Sequence, residues 1–165
     1  MTTVYLALGS NTGDPPARIR QAVKLLQPLL KDLKQAPLYL SKAAGYTDQA
    51  DFYNTAVSGQ TDLEPTALLD RLKQIEQQVG RRPTFHHGPR EIDIDIIFYD
   101  DLKLRTPELT LPHPAFAQRD FVMQPIVDLN ADLIDPVSHQ PVQKLLNNLT
   151  DEQRFLLPRS DHSHI

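Results

Sequence analysis

The stretch GPREIDIDIIFYDD, residues Gly88 to Asp101, decides how this chain is read. Glu91, Asp93 and Asp95 alternate with Ile92, Ile94 and Ile96, which is the two-residue period of a β-strand with one apolar face. Working back from it, a basic linker, RRPTFHHGPR, is preceded by a helix that opens at Glu64-Pro65. Its apolar positions are Leu68, Leu69, Leu72, Ile75 and Val79, and Gly80 closes it as a C-cap. Before that helix, Phe52 to Gly59 reads as a strand, Leu38 to Ser41 as the start of another, and KAAGYTDQAD between them as a polar loop. At the start of the chain, Val4 to Leu8 is a short apolar strand ended by Gly-Ser-Asn, and Asp14-Pro15-Pro16 is an N-cap followed by proline in the first helical turn. Ile19, Val23, Leu26 and Leu30 then predict a helix from about Pro15 to Leu33, kinked or split at Pro28.

The order β-α-β-β-α-β predicts an α+β fold of the ferredoxin-like kind, a mostly antiparallel sheet with helices packed on one face. After Leu102 the reading gives an extension: a proline-rich loop, a short helix from Pro114 to Gln118 and a helix near Val142 to Leu149. Residues 1–157 are expected to form one domain and 158–165, polar throughout most of their length, a frayed tail. The 165 residues suffice for one domain with a sizeable core and are too few for two ordinary ones. A net charge of −4 gives no global support to a nucleic-acid or acidic-membrane partner. The absence of cysteine excludes disulfides and thiolate chemistry and is compatible with a reducing compartment. The N-terminus lacks the basic start and apolar run of a signal peptide, and no apolar stretch is long enough to span a bilayer. The expectation is a soluble, cytoplasmic protein.

Asp93 and Asp95 project from one face of a strand, roughly 6 to 7 Å apart by strand rise. Two carboxylates so placed can converge on a cation, or on two cations bridged by substrate oxygens. Magnesium suits them, because it takes hard oxygen ligands together with water and phosphate. The alternative is a solvated outer face that discourages edge pairing. The neighbours favour the first reading: Arg81, Arg82, Arg90 and Arg119 supply guanidinium forks for phosphate oxygens. Carboxylates for a metal beside arginines for anions are what phosphoryl-type transfer requires. The chain has neither a P-loop nor a protein-kinase signature.

Six ordered pieces carry a resemblance: ALGSN near the start, DQADFYN at 48–54, IEQQVGR at 75–81, GPREIDIDI at 88–96, LTLPHP at 109–114 and RDFVMQP at 119–125. On these the chain resembles the 6-hydroxymethyl-7,8-dihydropterin pyrophosphokinase family, from about Thr3 to Leu146. The resemblance implies a ferredoxin-like fold and transfer of the β,γ-pyrophosphoryl group of ATP, the co-substrate, to the pterin's hydroxymethyl oxygen, with release of AMP. It implies two Mg2+ ions on Asp93 and Asp95, with Arg81 and Arg90 completing the catalytic set. For the pterin it implies Phe52 and Phe121 as stacking aromatics, Asn54 as the amide that reads the ring edge, and the loop of Ser41, Ala43 and Ala44. For ATP it implies Lys73, Glu76, Arg81, Arg90, Ile96, Thr110, His113 and Arg119. A flat heteroaromatic with an edge of donors and acceptors does want aromatic faces and an amide. Glu91 is read as a solvated strand residue. The chain departs from the family pattern in the SKAAG loop, which lacks prolines, at His87 and Pro83, and in a linker about one residue short. The SKAAG departure bears on a loop that lines the pterin site mainly by backbone, and the others on a linker, Arg81 to Arg90, that acts as a mobile lid in the family.

Three rival functions are set against this one. A binding module without turnover would be expected to have lost Asp93, Asp95 or Arg90, and all three are present. A metal-dependent phosphohydrolase would use the same groups on water. A nucleic-acid-binding sheet should carry exposed aromatic and basic residues, and this strand is acidic. The expected partners are therefore small molecules, ATP and the pterin, bound by a monomer.

Overall fold

The computed structural model describes residues 1–44, 47–81, 84–85 and 88–158. The readings placed on Arg82, Pro83 and His87, and on the tail beyond Pro158, lie outside the described residues.

Strand β1 (Thr2–Ser10) lies inside the sheet, antiparallel to β4 (Phe52–Thr61) on one side and to β5 (Asp93–Tyr99) on the other. Helix α1 (Pro15–Leu26) leads from β1 to β2 (Lys31–Gln35), which joins the far edge of β4. Both β1 and β2 are antiparallel to β4, so they run parallel to each other with β4 between them. This is the split βαβ unit, and with α2 (Pro65–Val79) leading toward β5 it gives the order β2-β4-β1-β5 of a ferredoxin-like sheet.

The second strand differs from the sequence reading. Helix α1 stops at Leu26 and does not run on to Leu33; Pro28 comes two residues later, and Lys31 already belongs to a strand. The competing force is packing of Leu30 over the sheet. A Cβ placed on Gly59 of β4 would come within 2.8 Å of Leu30 Cβ, so Leu30 lies where only glycine leaves room. The strand is broken at Ala36-Pro37 and resumes as β3 (Tyr39–Ser41), which pairs with the start of β4. Proline at a sheet edge is where it is tolerated, and the Thr55 hydroxyl donates to the carbonyls of Ala36 and Pro37 across the break.

Helices cover both faces of the sheet. On the first face α1 and α2 bury Ile19, Leu26, Leu68 and Leu72 against Val4, Leu6, Ile94 and Ile96. On the second lies α3 (Asp120–Leu129), a helix absent from the sequence reading; it buries Val122, Met123, Ile126 and Val127 with Phe98 and Tyr5. Pro125 hides α3 in the sequence, since an interior proline argues against a helix. Burial of four apolar side chains outweighs the one hydrogen bond that proline removes. Strand β5 serves both layers through a bulge: Tyr5 faces Phe98 but Leu6 faces Ile96, so Ile97 is the extra residue. Ile97 and Phe98 therefore both join the second layer. The first half of β5 carries Asp93 and Asp95 on that same second face, opposite Gly9 and Ala7.

Beyond β5 come a hairpin of β6 (Leu104–Arg105) and β7 (Thr110–Leu111), a 3-10 turn over Phe116–Gln118, and α4 (Val142–Asn147). The short helix expected at Pro114 to Gln118 is thus the 3-10 turn, and α4 ends two residues before Leu149. Among the described residues no helix is long and apolar enough to cross a membrane.

Candidate active site

On the second face, where the two acids stand beside α3, the structure encloses a cavity of about 120 Å³. Its floor is Ala7, Leu8 and Gly9 of β1. One wall is Phe52 and Asn54 of β4 with Ser41, Lys42 and Ala44; the other is Asp93 and Asp95 of β5 with Gly88 and Arg90, and Arg119, Phe121 and Val122 close it from α3 and its approach. Of the residues named for the pterin, Ser41, Ala44, Phe52, Asn54 and Phe121 all reach this space; Ala43 is buried and does not line it.

Asn54 is buried, and its amide nitrogen donates to Ser41 Oγ at 2.7 Å and to the Phe52 carbonyl at 3.3 Å. Those bonds fix the amide plane. A Cβ on Gly9 would lie 3.3 Å from Asn54 Oδ1, so glycine there keeps the carbonyl side of the amide uncrowded. Phe121 has the Arg119 guanidinium carbon 5.7 Å from its ring centroid and the Phe155 ring edge-on at 5.9 Å.

The acidic wall is more crowded than the sequence implies. Glu76 is a buried residue of α2, not an exposed helix acid. Its carboxylate accepts the Ile94 N–H at 2.7 Å and the Arg81 guanidinium at 2.8 Å. The same Arg81 nitrogen lies 3.1 Å from Asp93 Oδ1. Arg81, expected to face the ATP phosphates, is therefore engaged by two carboxylates. Burial raises the Glu76 carboxyl, against the pull of the Ile94 N–H and Arg81. Burial, with the charges of Asp93 and Glu76, pushes the Asp95 carboxyl up to about 7, opposed by Arg119 and Arg81. With Glu76 engaged by the Ile94 N–H and Arg81, Asp93 and Asp95 are the pair whose charge suits a hard divalent cation. Among the described residues no group of three His, Cys, Asp or Glu side chains is placed to hold a metal by itself. A cation here would rest on Asp93 and Asp95 and complete its shell with water and substrate oxygens.

Arg90 lines the cavity, but its guanidinium is turned back on its own loop, donating to the carbonyls of Gly88 (2.9 Å) and Pro89 (3.2 Å). Its backbone is held by Asn11, which receives the Arg90 N–H on Oδ1 at 2.9 Å and donates its backbone N–H to the Arg90 carbonyl. The Asn11 amide also donates to Gln49 Oε1 and the Ala50 carbonyl, so one buried side chain joins the segments before β4 and before β5. Glu91 precedes β5 instead of lying in it, and its carboxylate accepts the Thr12 hydroxyl at 3.2 Å. It is bonded, where the sequence reading left it solvated.

Thr110 and His113 stand apart from this cavity, in a groove of about 550 Å³ with Lys103 and Arg105. Burial, aided by Arg119, lowers the His113 imidazole to about 4. Its Nδ1 accepts the Ala115 N–H at 3.1 Å, as a neutral ring must. Lys73 is exposed on α2. The Ile96 side chain is packed in the first-face core, so any nucleotide contact there falls to its backbone. The sequence reading missed Gly9, Lys42 and Asn11. The ALGSN piece contains Gly9 and Asn11, and Lys42 lies in the SKAAG loop between Ser41 and Ala43, so motif position is the signal that could have found them.

Fold and site together define a ferredoxin-like α+β protein whose sheet carries a carboxylate-and-arginine cleft next to an aromatic one, the class suited to phosphoryl-type transfer onto a flat ring substrate. Residues 5–131 match the family model described as 7,8-dihydro-6-hydroxymethylpterin-pyrophosphokinase (HPPK), and the chain belongs to that family. It is 41% identical over 144 residues to the 2-amino-4-hydroxy-6-hydroxymethyldihydropteridine pyrophosphokinase of Aquifex aeolicus, covering 87% of this chain and 90% of that one. It is also 42% identical to a folic acid synthesis protein of Dictyostelium discoideum, matching 88% of this chain but spanning only 22% of the longer protein. A crystal structure of Plasmodium falciparum HPPK-DHPS superposes with a TM-score of 0.70 at 16% identity, over 88% of this chain and 44% of that one, a likeness of fold. The activity that characterises the family is ATP-dependent pyrophosphoryl transfer to 6-hydroxymethyl-dihydropterin.

Proposed function

We propose that this chain carries out that transfer in the cavity between β4, β5 and α3, as one domain over residues 1–157, monomeric and cytoplasmic. The observation that carries the reading is the meeting, in one space, of Phe52, Asn54 and Phe121 with Asp93, Asp95, Arg90 and Arg119. The pterin ring lies against Phe52 and Phe121 with its polar edge toward Asn54. ATP brings its phosphates to the acidic wall, where Arg90 and Arg119 meet their oxygens. The pterin's hydroxymethyl oxygen forms a bond to the β-phosphorus as the bond from that phosphorus to the α-phosphate bridging oxygen breaks. AMP leaves and the hydroxyl proton passes to solvent.

Asp93 and Asp95 would hold Mg2+, two ions by the family resemblance, which would neutralise phosphate charge and lower the barrier to attack. Arg81 begins on Glu76 and Asp93. Were Asp93 to take a cation, Arg81 would lose one of its two carboxylate partners and its guanidinium would be freer to meet phosphate oxygens. Asn11 keeps the Arg90 segment in register with the segment that leads to Phe52. The site asks little proton chemistry of the protein, and its work is positioning and charge neutralisation.

The test is product analysis with ATP, magnesium and 6-hydroxymethyl-7,8-dihydropterin, each omitted in turn. AMP should form only when all three are present. ADP and phosphate without pterin would mean a hydrolase, and tight binding without turnover a binding module.

A further inference from the structure

The segment Arg154–Leu157 has no regular structure of its own, yet it is bound at five places. Asp120, at the start of α3, is 3% exposed, and its carboxylate takes the N–H of Phe155 on both oxygens and that of Leu156 on one, all at 3.0 Å. The Phe155 carbonyl accepts the Lys42 N–H at 2.9 Å, and the Leu157 N–H donates to the Leu40 carbonyl at 2.9 Å. Ser41 and Leu156 thus face each other in an antiparallel bridge, and the segment covers the outer edge of β3. The Arg154 guanidinium donates to the carbonyls of Leu149, Asn147 and Leu146 at 3.1 to 3.4 Å, tying the segment to the end of α4.

Two of these attachments touch cavity walls. Phe155 meets Phe121 edge-to-face, with centroids 5.9 Å apart and planes at 90°. The segment's backbone holds Lys42, which lines the cavity beside Ser41, the partner of Asn54. We infer that Arg154–Leu157 is a strap that shapes the pterin wall, and that Phe155 is a positioning residue which fixes the Phe121 ring for stacking. This inference rests on the functional reading above and adds to it a group that never touches the substrate. An edge cover alone would need the backbone bonds but not an aromatic ring at 155; the ring is aimed at the stacking residue.

A buried carboxylate bonded by two backbone N–H groups anchors the strap strongly, so the ring can be changed while the backbone stays put. An edge-to-face aromatic pair contributes enough that its loss should weaken ring stacking about tenfold. Phe155→Ala is therefore expected to raise the Kd and KM for 6-hydroxymethyl-7,8-dihydropterin about tenfold, leaving kcat within about threefold and the Kd of a non-hydrolysable ATP analogue with magnesium within about twofold. Phe155→Tyr should restore pterin binding to within about twofold of the parent, and Phe155→Leu, which keeps bulk without a ring edge, should not. Should Phe155→Ala fail to fold, the Tyr and Leu pair decides the matter. Pterin affinity unchanged in Phe155→Ala, equal weakening of pterin and nucleotide, or full recovery in Phe155→Leu would overturn the strap's role alone. No pterin binding by the unsubstituted protein would overturn the functional reading and this inference with it.

Discussion

Asn54 gives its amide hydrogens to Ser41 and the Phe52 carbonyl, and Phe121 is set between Arg119 and Phe155, whereas the facing wall gathers Glu76, Asp93 and Asp95, with Arg81 paired to the first two and Arg119 and Arg81 acting on the third from a distance. The first wall is finished by bonds within the protein. The second is left with an excess of negative charge, which adds to burial in raising Asp95 to about 7. A flat, nearly neutral ring can enter a preformed slot with little rearrangement. A polyphosphate with its cations brings charge of both signs, and a wall that balanced its own charge beforehand would have nothing to offer it.

The sharpest way to break this contrast is to remove an acid. Asp95→Ala should lower kcat by roughly 10³-fold or more, as expected when charge stabilisation of a transferring phosphoryl group is lost. Without magnesium it should be at least as resistant to heat as the parent, because a crowded carboxylate has gone. Magnesium should raise the melting temperature of the parent and not that of the variant. A variant that melts well below the parent in metal-free buffer would show that Asp95 supports the fold and that the wall is not short of positive charge.

Glu76 tests whether the acidic wall has a structural backstop. Glu76→Ala strips the buried Ile94 N–H of its acceptor and Arg81 of one partner, which should cost about 2 kcal/mol of unfolding free energy. Glu76→Gln keeps an acceptor for Ile94 and should lose much less. Chemical denaturation of the two variants checks this, and equal losses would mean that charge, not the hydrogen bond, is what β5 requires. On the other wall, Asn54→Ala should raise the pterin Kd about tenfold and leave the ATP analogue within about twofold. Comparable weakening of both ligands would erase the distinction between the walls.

The parts of this molecule that could be read from sequence are those written in local patterns. The alternation across 91–96, the Gly80 cap and the proline-opened helices fixed the order of elements, and the acid pair on β5 marked the site. Strand β2 was hidden because Leu26 and Leu30 continue a helical spacing, and only the contact of Leu30 with Gly59, 29 positions away, shows the chain leaving the helix. The Ile97 bulge was hidden because IIF has no alternation to break. At the site, what escaped was pairing between distant segments. Glu76 with Ile94, Asn11 with Gln49 and Arg90, and Asp120 with Phe155 are each ordinary polar residues in sequence. Their roles exist only once the sheet brings their segments together.

His113 provides the mildest test, because it borders the charged side without belonging to the acid cluster. Its imidazole is lowered to about 4, chiefly by burial and then by Arg119, whereas in the unfolded chain it titrates near 6.5. The unfolded state therefore takes up a proton first as pH falls. The stability that depends on a neutral His113 is fully present above about pH 6.5 and is lost progressively toward pH 4. Protonation at Nδ1 would also end the bond from the Ala115 N–H. Between pH 7 and 5 the loss should be on the order of 1 kcal/mol, allowing for the ring's partial exposure. The backbone bond from His113 N–H to the Ile97 carbonyl survives a change of side chain, so His113→Gln should keep the loop in place while removing the titration. Unfolding free energies of parent and variant at the two pH values isolate the effect, since every other group is common to both. A parent that loses no more stability than His113→Gln would mean that the imidazole is charged or well solvated in the folded protein, and that neither burial nor Arg119 holds it neutral.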